Sequence, residues 1–237
     1  MIPIRDDQPR FSTPYVNYFI IGLNLIAFLF ELSIGHEDPR ALNAFIYEFG
    51  VVPRHFALAL SGDAHASLSA GLLSILTSMF LHGSWLHIIG NMWVLYIFGD
   101  NIEDYLGHGA YLGFYLICGF AASFTHILLS LPSNVPSVGA SGAIAGIMGA
   151  YFVLYPRARV LTVVPFLIFF FWWLPAWIVL GYWFIVQFFS GAATSIAYVS
   201  QSRGGVAFWA HVGGFVAGIL SIKIFPQRQR RSRYGTW

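Results

Sequence analysis

Long apolar stretches, broken at a few polar points, set the organisation of this chain. Residues 15–34 are apolar over a length that crosses a bilayer core of about 30 Å at 1.5 Å per helical residue. A polar-to-mixed connection follows, carrying Pro39-Arg40 and Pro53-Arg54. Apolar character returns over 85–98, extending on either side, then over 110–131 and 141–154. Residues 159–191 are apolar again, but Pro165 and Pro175 interrupt them and disrupt continuous helix bonding. This region therefore reads as an interfacial or partly inserted segment followed by a fifth helix over 175–190. A last helix is predicted over 206–225. The pattern predicts an all-α polytopic membrane protein with six transmembrane helices, and without internal repeat or linker it reads as one bundle.

Composition strengthens this reading. Apolar residues make up 57% and aromatics 18% of the 237, while Asp, Glu, Lys and Arg together make up 9%, against about 25% in soluble domains. That stock excludes a water-facing surface of ordinary type. Charge placement then orients the chain. With the N-terminus inside, the inner connections hold Arg5, Arg10, Arg157, Arg159, Lys223, Arg228, Arg230, Arg231 and Arg233, against Arg40, Arg54 and Arg203 outside. Positive charge prefers the cytoplasmic side, so both termini are expected there. The acidic stretch Asp100 to Asp104 falls on the inner side as a connection, and carboxylates count little in this rule. The stretch beginning at Tyr15 reads as a retained first helix rather than a cleaved signal. Basic residues at 228–233 are expected to meet anionic lipid, and no nucleic-acid partner is needed to explain them. The lone Cys118 excludes an intramolecular disulfide, reads as a buried thiol, and lends no support to a metal site.

Three polar constellations carry the candidate chemistry. The fourth helix opens with Gly139-Ala140-Ser141-Gly142, where the glycines permit tight backbone geometry and first-turn amides offer partial positive charge to an oxyanion. Taken alone, such a start is ordinary capping or packing. His211 is followed by Gly214 and Gly218, three and seven positions on, so the three share a helical face. Ser141, Ala145 and Gly149 make a similarly small face. If these faces meet, the backbones approach closely enough for the serine hydroxyl to reach the imidazole. The third set is His82, His87 and Asn91. His87 and Asn91 share a face, and the Asn91 amide suits developing negative charge with His87 assisting, whereas His82 belongs to the preceding connection.

In the inferred topology the second, fourth and sixth helices run the same way, which brings Ser141, His211, His87 and Asn91 to a similar depth. No carboxylate is equally placed, so the residues read as a Ser-His dyad. The aromatic run 166–173 reads as lipid-facing.

At these residues the chain resembles the rhomboid family. The matching pattern is His82 with His87-Ile88-Ile89-Gly90-Asn91, then Gly139-Ala140-Ser141-Gly142, then Ala210-His211 with Gly214 and Gly218. Glu103 and Gly107 resemble the family's boundary after the second helix. The resemblance covers residues 11–225, read as a rhomboid protease membrane domain, with 226–237 as a basic cytoplasmic tail. It implies a six-helix bundle and an intramembrane serine endopeptidase in which Ser141 and His211 are catalytic. Asn91 and His87 would stabilise the oxyanion, supported by Gly139, Gly142, Gly214, Gly218 and His82. It also implies a membrane-associated first loop, lateral substrate access beside the fifth helix, and transmembrane protein substrates. Membrane lipids are the other expected partner; no cofactor or metal is expected. A bacterial cell (inner) membrane is the expected location.

Two positions depart from the family pattern. A Trp-Arg pair found before the second helix in some members has no match in the stretch from Leu76 to Leu81. Ala145 stands where some members carry an aromatic against the imidazole, which leaves the orientation of His211 open. The non-catalytic alternative is a rhomboid-like protein that binds or chaperones membrane helices.

Overall fold

The apolar stretches fold as helices whose ends are fixed by local chemistry, and the computed structural model describes residues 1–63, 66–165, 169–197 and 207–228. In chain order the elements are β1 (Ile2–Asp6), α1 (Tyr15–Glu37), α2 (Pro39–Phe49), α3 (Pro53–Leu60), α4 (Leu68–Ser78), α5 (Trp85–Leu106), α6 (His108–Leu129) and α7 (Ser141–Leu154). These are followed by β2 (Arg159–Pro165), β3 (Phe169–Pro175), α8 (Ala176–Ala197) and α9 (Phe208–Ser221). Among the described residues α1, α6 and α8 are long and apolar enough to cross a membrane. The protein is a mostly helical multi-pass membrane protein. Arg203, the start of the last helix at 206, residues 166–168 and the basic tail from 229 lie outside the described residues.

The all-α expectation needs one correction. Residues 159–175, read from sequence as interfacial or partly inserted, form an antiparallel hairpin of β2 and β3, and β1 adds to it in the order β1-β2-β3. The chemistry of the run explains this. Val160, Thr162, Val163 and Val164 are β-branched, and Phe170, Phe171, Trp172 and Trp173 are aromatic, the types that suit a pleated surface. Pro165 and Pro175 end the strands rather than kinking a helix. Phe171 and Trp172 are exposed on this hairpin.

The second correction concerns α5, which runs on to Leu106. The acidic stretch is thus its last turns rather than a connection, and its carboxylates tether the start of the chain. Pro14 cannot cap α1 with a side chain, so the Glu103 carboxylate from α5 accepts from the Val16 and Asn17 amides at 3.0 and 2.7 Å. Asp104 likewise accepts from Phe11 N and Ser12 Oγ. Gly107, at φ 81°, then reverses the backbone into α6.

α7 is the central element. Ten of its fourteen residues are buried, which only a small-residue helix enclosed by others can achieve. α9 lies against it and runs parallel, glycine on carbonyl. A Cβ on Gly214 would sit 2.0 Å from the Gly142 oxygen, one on Gly218 2.0 Å from the Gly146 oxygen, and one on Gly149 2.1 Å from the Phe215 oxygen. The two faces meet as their spacing predicts, with Gly142, Gly146 and Gly149, rather than Ala145, making the contact. Replacing Gly218 with Ala is expected to lower stability by about 1–3 kcal/mol through forced separation of the backbones, checked by thermal unfolding of the purified protein in detergent.

Candidate active site

The depth of Ser141 follows from tethers at the other end of its helix. Tyr155, just past α7, donates its hydroxyl to the Asn101 carbonyl near the C-terminal end of α5 at 3.5 Å. Ser141 and His87 each lie fourteen residues before this contact, which brings them to a similar level. Contact confirms the count: a Cβ on Gly139 would lie 2.7 Å from His87 Nε2 and 3.6 Å from Ser141 Oγ. Gly139 has φ of 132°, a conformation that L side chains avoid. At fourteen residues, α7 spans only about 21 Å, less than a bilayer core of about 30 Å.

The approach to Ser141 is held by the connection between α1 and α5. Val51 and Ser137 exchange two backbone hydrogen bonds, at 3.0 and 2.8 Å, and the Gly139 amide donates to the Ser78 carbonyl at 2.8 Å. This connection, expected only as a membrane-associated loop, folds as α2, α3 and α4. Ser141 is the first residue of α7, and the helix ladder begins with the Ile144 amide donating to Ala140 O. The Ser141 and Gly142 amides therefore have no partner inside the helix.

His211 is buried on α9, with Nε2 2.8 Å from Ser141 Oγ. This is hydrogen-bonding range for a nucleophile and its base. Its other nitrogen, Nδ1, lies 2.7 Å from Gln187 Oε1 on α8. Trp183, one turn earlier on the same face, packs its ring 5.6 Å from the imidazole at 35°. The orientation that Ala145 left open thus comes from α8. Sequence reading missed both residues. The available signal was Gln187 itself, an amide in an apolar helix one turn from an aromatic.

Asn91 is buried on α5, and its amide nitrogen makes no hydrogen bond among the described residues. A buried amide donor without a partner is costly and suits a site that receives negative charge. His82 plays a different part. It is 1% exposed, its backbone amide donates to both Glu31 oxygens at 3.1 and 3.2 Å, and its ring packs edge-on against His87 at 5.0 Å. The expectation that no carboxylate shares this depth is corrected by Glu31, buried within α1. Its oxygens serve the His82 backbone, and the hydrogen bonds of His211 go to Ser141 and Gln187. A cavity of about 20 Å³ adjoins Ser141 and Gly142, lined in part by Ser78, Ser123 and His126, with room for one water or a methyl group.

A polytopic bundle that holds a buried histidine in hydrogen-bonding range of a part-buried serine on parallel, glycine-packed helices defines a membrane protein with a candidate Ser-His pair. The rhomboid domain model matches residues 69–228, about two thirds of the chain, and the chain belongs to the rhomboid family. It is similar to Rhomboid protein 1, mitochondrial, of Saccharomyces cerevisiae, at 31% identity over 176 residues, 70% of this chain and 47% of that protein. It is also similar to Presenilin-associated rhomboid-like protein, mitochondrial, of Mus musculus, at 28% over 156 residues, 62% of this chain and 37% of that protein. Over a shorter stretch of 72 residues it is 43% identical to Rhomboid-like protein 11, chloroplastic, of Arabidopsis thaliana, covering 30% of this chain and 25% of that one. The chain spans less than half the length of these relatives.

Burial drives the His82 imidazole down to a pKa of about 4, with neighbouring His87 adding to the shift. A lowered histidine pKa means that the unfolded chain takes up the proton first. Stability is therefore full above about pH 6.5 and is lost as pH falls towards 4, by on the order of 3 kcal/mol. Acid unfolding monitored by tryptophan fluorescence should show this loss, and His82→Phe should flatten it.

Proposed function

We propose that this protein is an intramembrane serine endopeptidase that hydrolyses peptide bonds in or near transmembrane segments of membrane proteins. The observation that carries the reading is the 2.8 Å hydrogen bond between His211 Nε2 and Ser141 Oγ. Membership of the rhomboid family supports it. The core is six spans, α1, α5, α6, α7, α8 and α9, in a domain over 11–225 with a basic tail over 226–237. We place it in a bacterial cell membrane with both termini cytoplasmic, on the excess of Lys and Arg at the inner end.

In the proposed mechanism His211 Nε2 takes the Ser141 proton as Oγ attacks the scissile carbonyl. The oxyanion is met by the Asn91 amide, His87 and the free amides at the start of α7. The imidazolium then protonates the leaving amine, the tetrahedral species collapses to an acyl-enzyme, and His211 activates the water that releases it. The cavity beside Ser141 suits a small side chain next to the scissile bond.

Ser141→Ala is expected to abolish cleavage of a purified model transmembrane substrate, and a variant correctly inserted yet cleaving at the parental rate would sink the mechanism. A fluorophosphonate should label the parent at Ser141 and fail to label His211→Ala, which separates a protease from a helix-binding chaperone. Asn91→Ala should lower kcat by about 10²-fold with little change in KM, measured on the same substrate.

A further inference from the structure

We propose that Gln187 is the positioning residue for His211: its amide oxygen holds Nδ1–H and so leaves Nε2 free to accept the Ser141 proton. This rests on the Ser141–His211 reading above and deepens it. A neutral imidazole carries its proton on one nitrogen or the other, and only the Nδ1–H form presents a lone pair to Ser141. Whatever sits at Nδ1 therefore selects whether the base is competent. Gln187 Oε1 lies 2.7 Å from it, and a carbonyl oxygen accepts but does not donate. With the amide reversed, its N–H would force the proton onto Nε2, and the Ser141 proton would have no acceptor.

Two further observations point to the same role. Gln187 is 9% exposed, in a helix whose adjacent Val186 and Phe188 are 39% and 43% exposed, so it is the inward-facing residue of that turn. A buried amide there is costly without a hydrogen bond. Trp183 precedes it by one turn and lies against the same imidazole, so α8 supplies both a polar contact to one ring nitrogen and an apolar contact to the ring. During acylation the Ser141 proton passes to Nε2, Nδ1 keeps its own proton bonded to Oε1, and none moves to Gln187. A neutral amide thus fixes the tautomer without adding the counter-charge of a carboxylate.

The test measures kcat and KM against pH for the full-length protein in detergent, with a model transmembrane substrate. Gln187→Met removes the acceptor at similar volume and is expected to lower kcat about tenfold to a hundredfold, with KM within about twofold. Gln187→Glu keeps the acceptor and adds charge, so the imidazolium is held to higher pH and the acid limb of the kcat profile moves up by about one pH unit or more. Loss of packing alone moves neither the limb nor kcat in this selective way. A Gln187→Met protein with parental kcat, or a Gln187→Glu protein with the parental acid limb, overturns the proposal. Should Gln187→Met fail to fold, the Gln187→Glu profile decides. Cleavage that survives Ser141→Ala would instead remove the underlying dyad, whereas an inert Ser141→Ala beside a fully active Gln187→Met removes only the role of Gln187.

Discussion

The close contact between α7 and α9 is the constraint on which the rest of the structure depends. Apolar surface gives little drive for helix association in lipid, so packing must come from van der Waals contact at short range. Gly214 and Gly218 set the α9 backbone directly on the carbonyls of Gly142 and Gly146, with Gly149 returning the contact on Phe215. At that separation a serine, whose oxygen is one bond beyond Cβ, meets an imidazole from the neighbouring helix. With any larger residue at these positions Ser141 and His211 would stand apart. The glycines are thus part of the geometry of the site rather than a background to it.

A short central helix needs its height fixed as well as its spacing. α7 is anchored below by Tyr155 on Asn101 and above by Gly139 on the Ser78 carbonyl. The buried carboxylates serve the same end. Glu103 accepts from the first amides of α1, Asp104 holds the segment before it, and Glu31 holds the backbone at His82, two residues before the cap of α5. Each joins elements far apart in sequence. These buried acidic residues therefore act as acceptors that tie elements together.

How much of this was legible in the sequence follows from the range of each interaction. The predicted positions of α1, α6 and α7 come from apolar length and hold to within a few residues, because burial acts on whole segments. The Ser141, His211 and Gly214 to Gly218 spacing was legible because helical periodicity projects onto a face. β2 and β3 were not, since an apolar run with prolines fits a kinked span as well as a hairpin until its β-branched and aromatic content is weighed. Glu31 and Gln187 were missed for another reason. Each contacts a residue far along the chain, 51 and 24 positions away, and no local pattern encodes such a pairing.

The choice of a neutral group beside His211 agrees with where α8 sits. Phe188 and Phe189, next along the helix, are exposed on a surface that faces lipid in a membrane protein. A carboxylate at 187 would have to be desolvated beside that surface in every resting molecule, while the positive partner that offsets it exists only transiently, during proton transfer. An amide carries a smaller desolvation cost and still fixes which nitrogen holds the proton. Trp183 adds an apolar wall that a charged neighbour would not tolerate as readily. A neutral acceptor at Nδ1 is thus what burial beside the lipid-facing side of α8 selects.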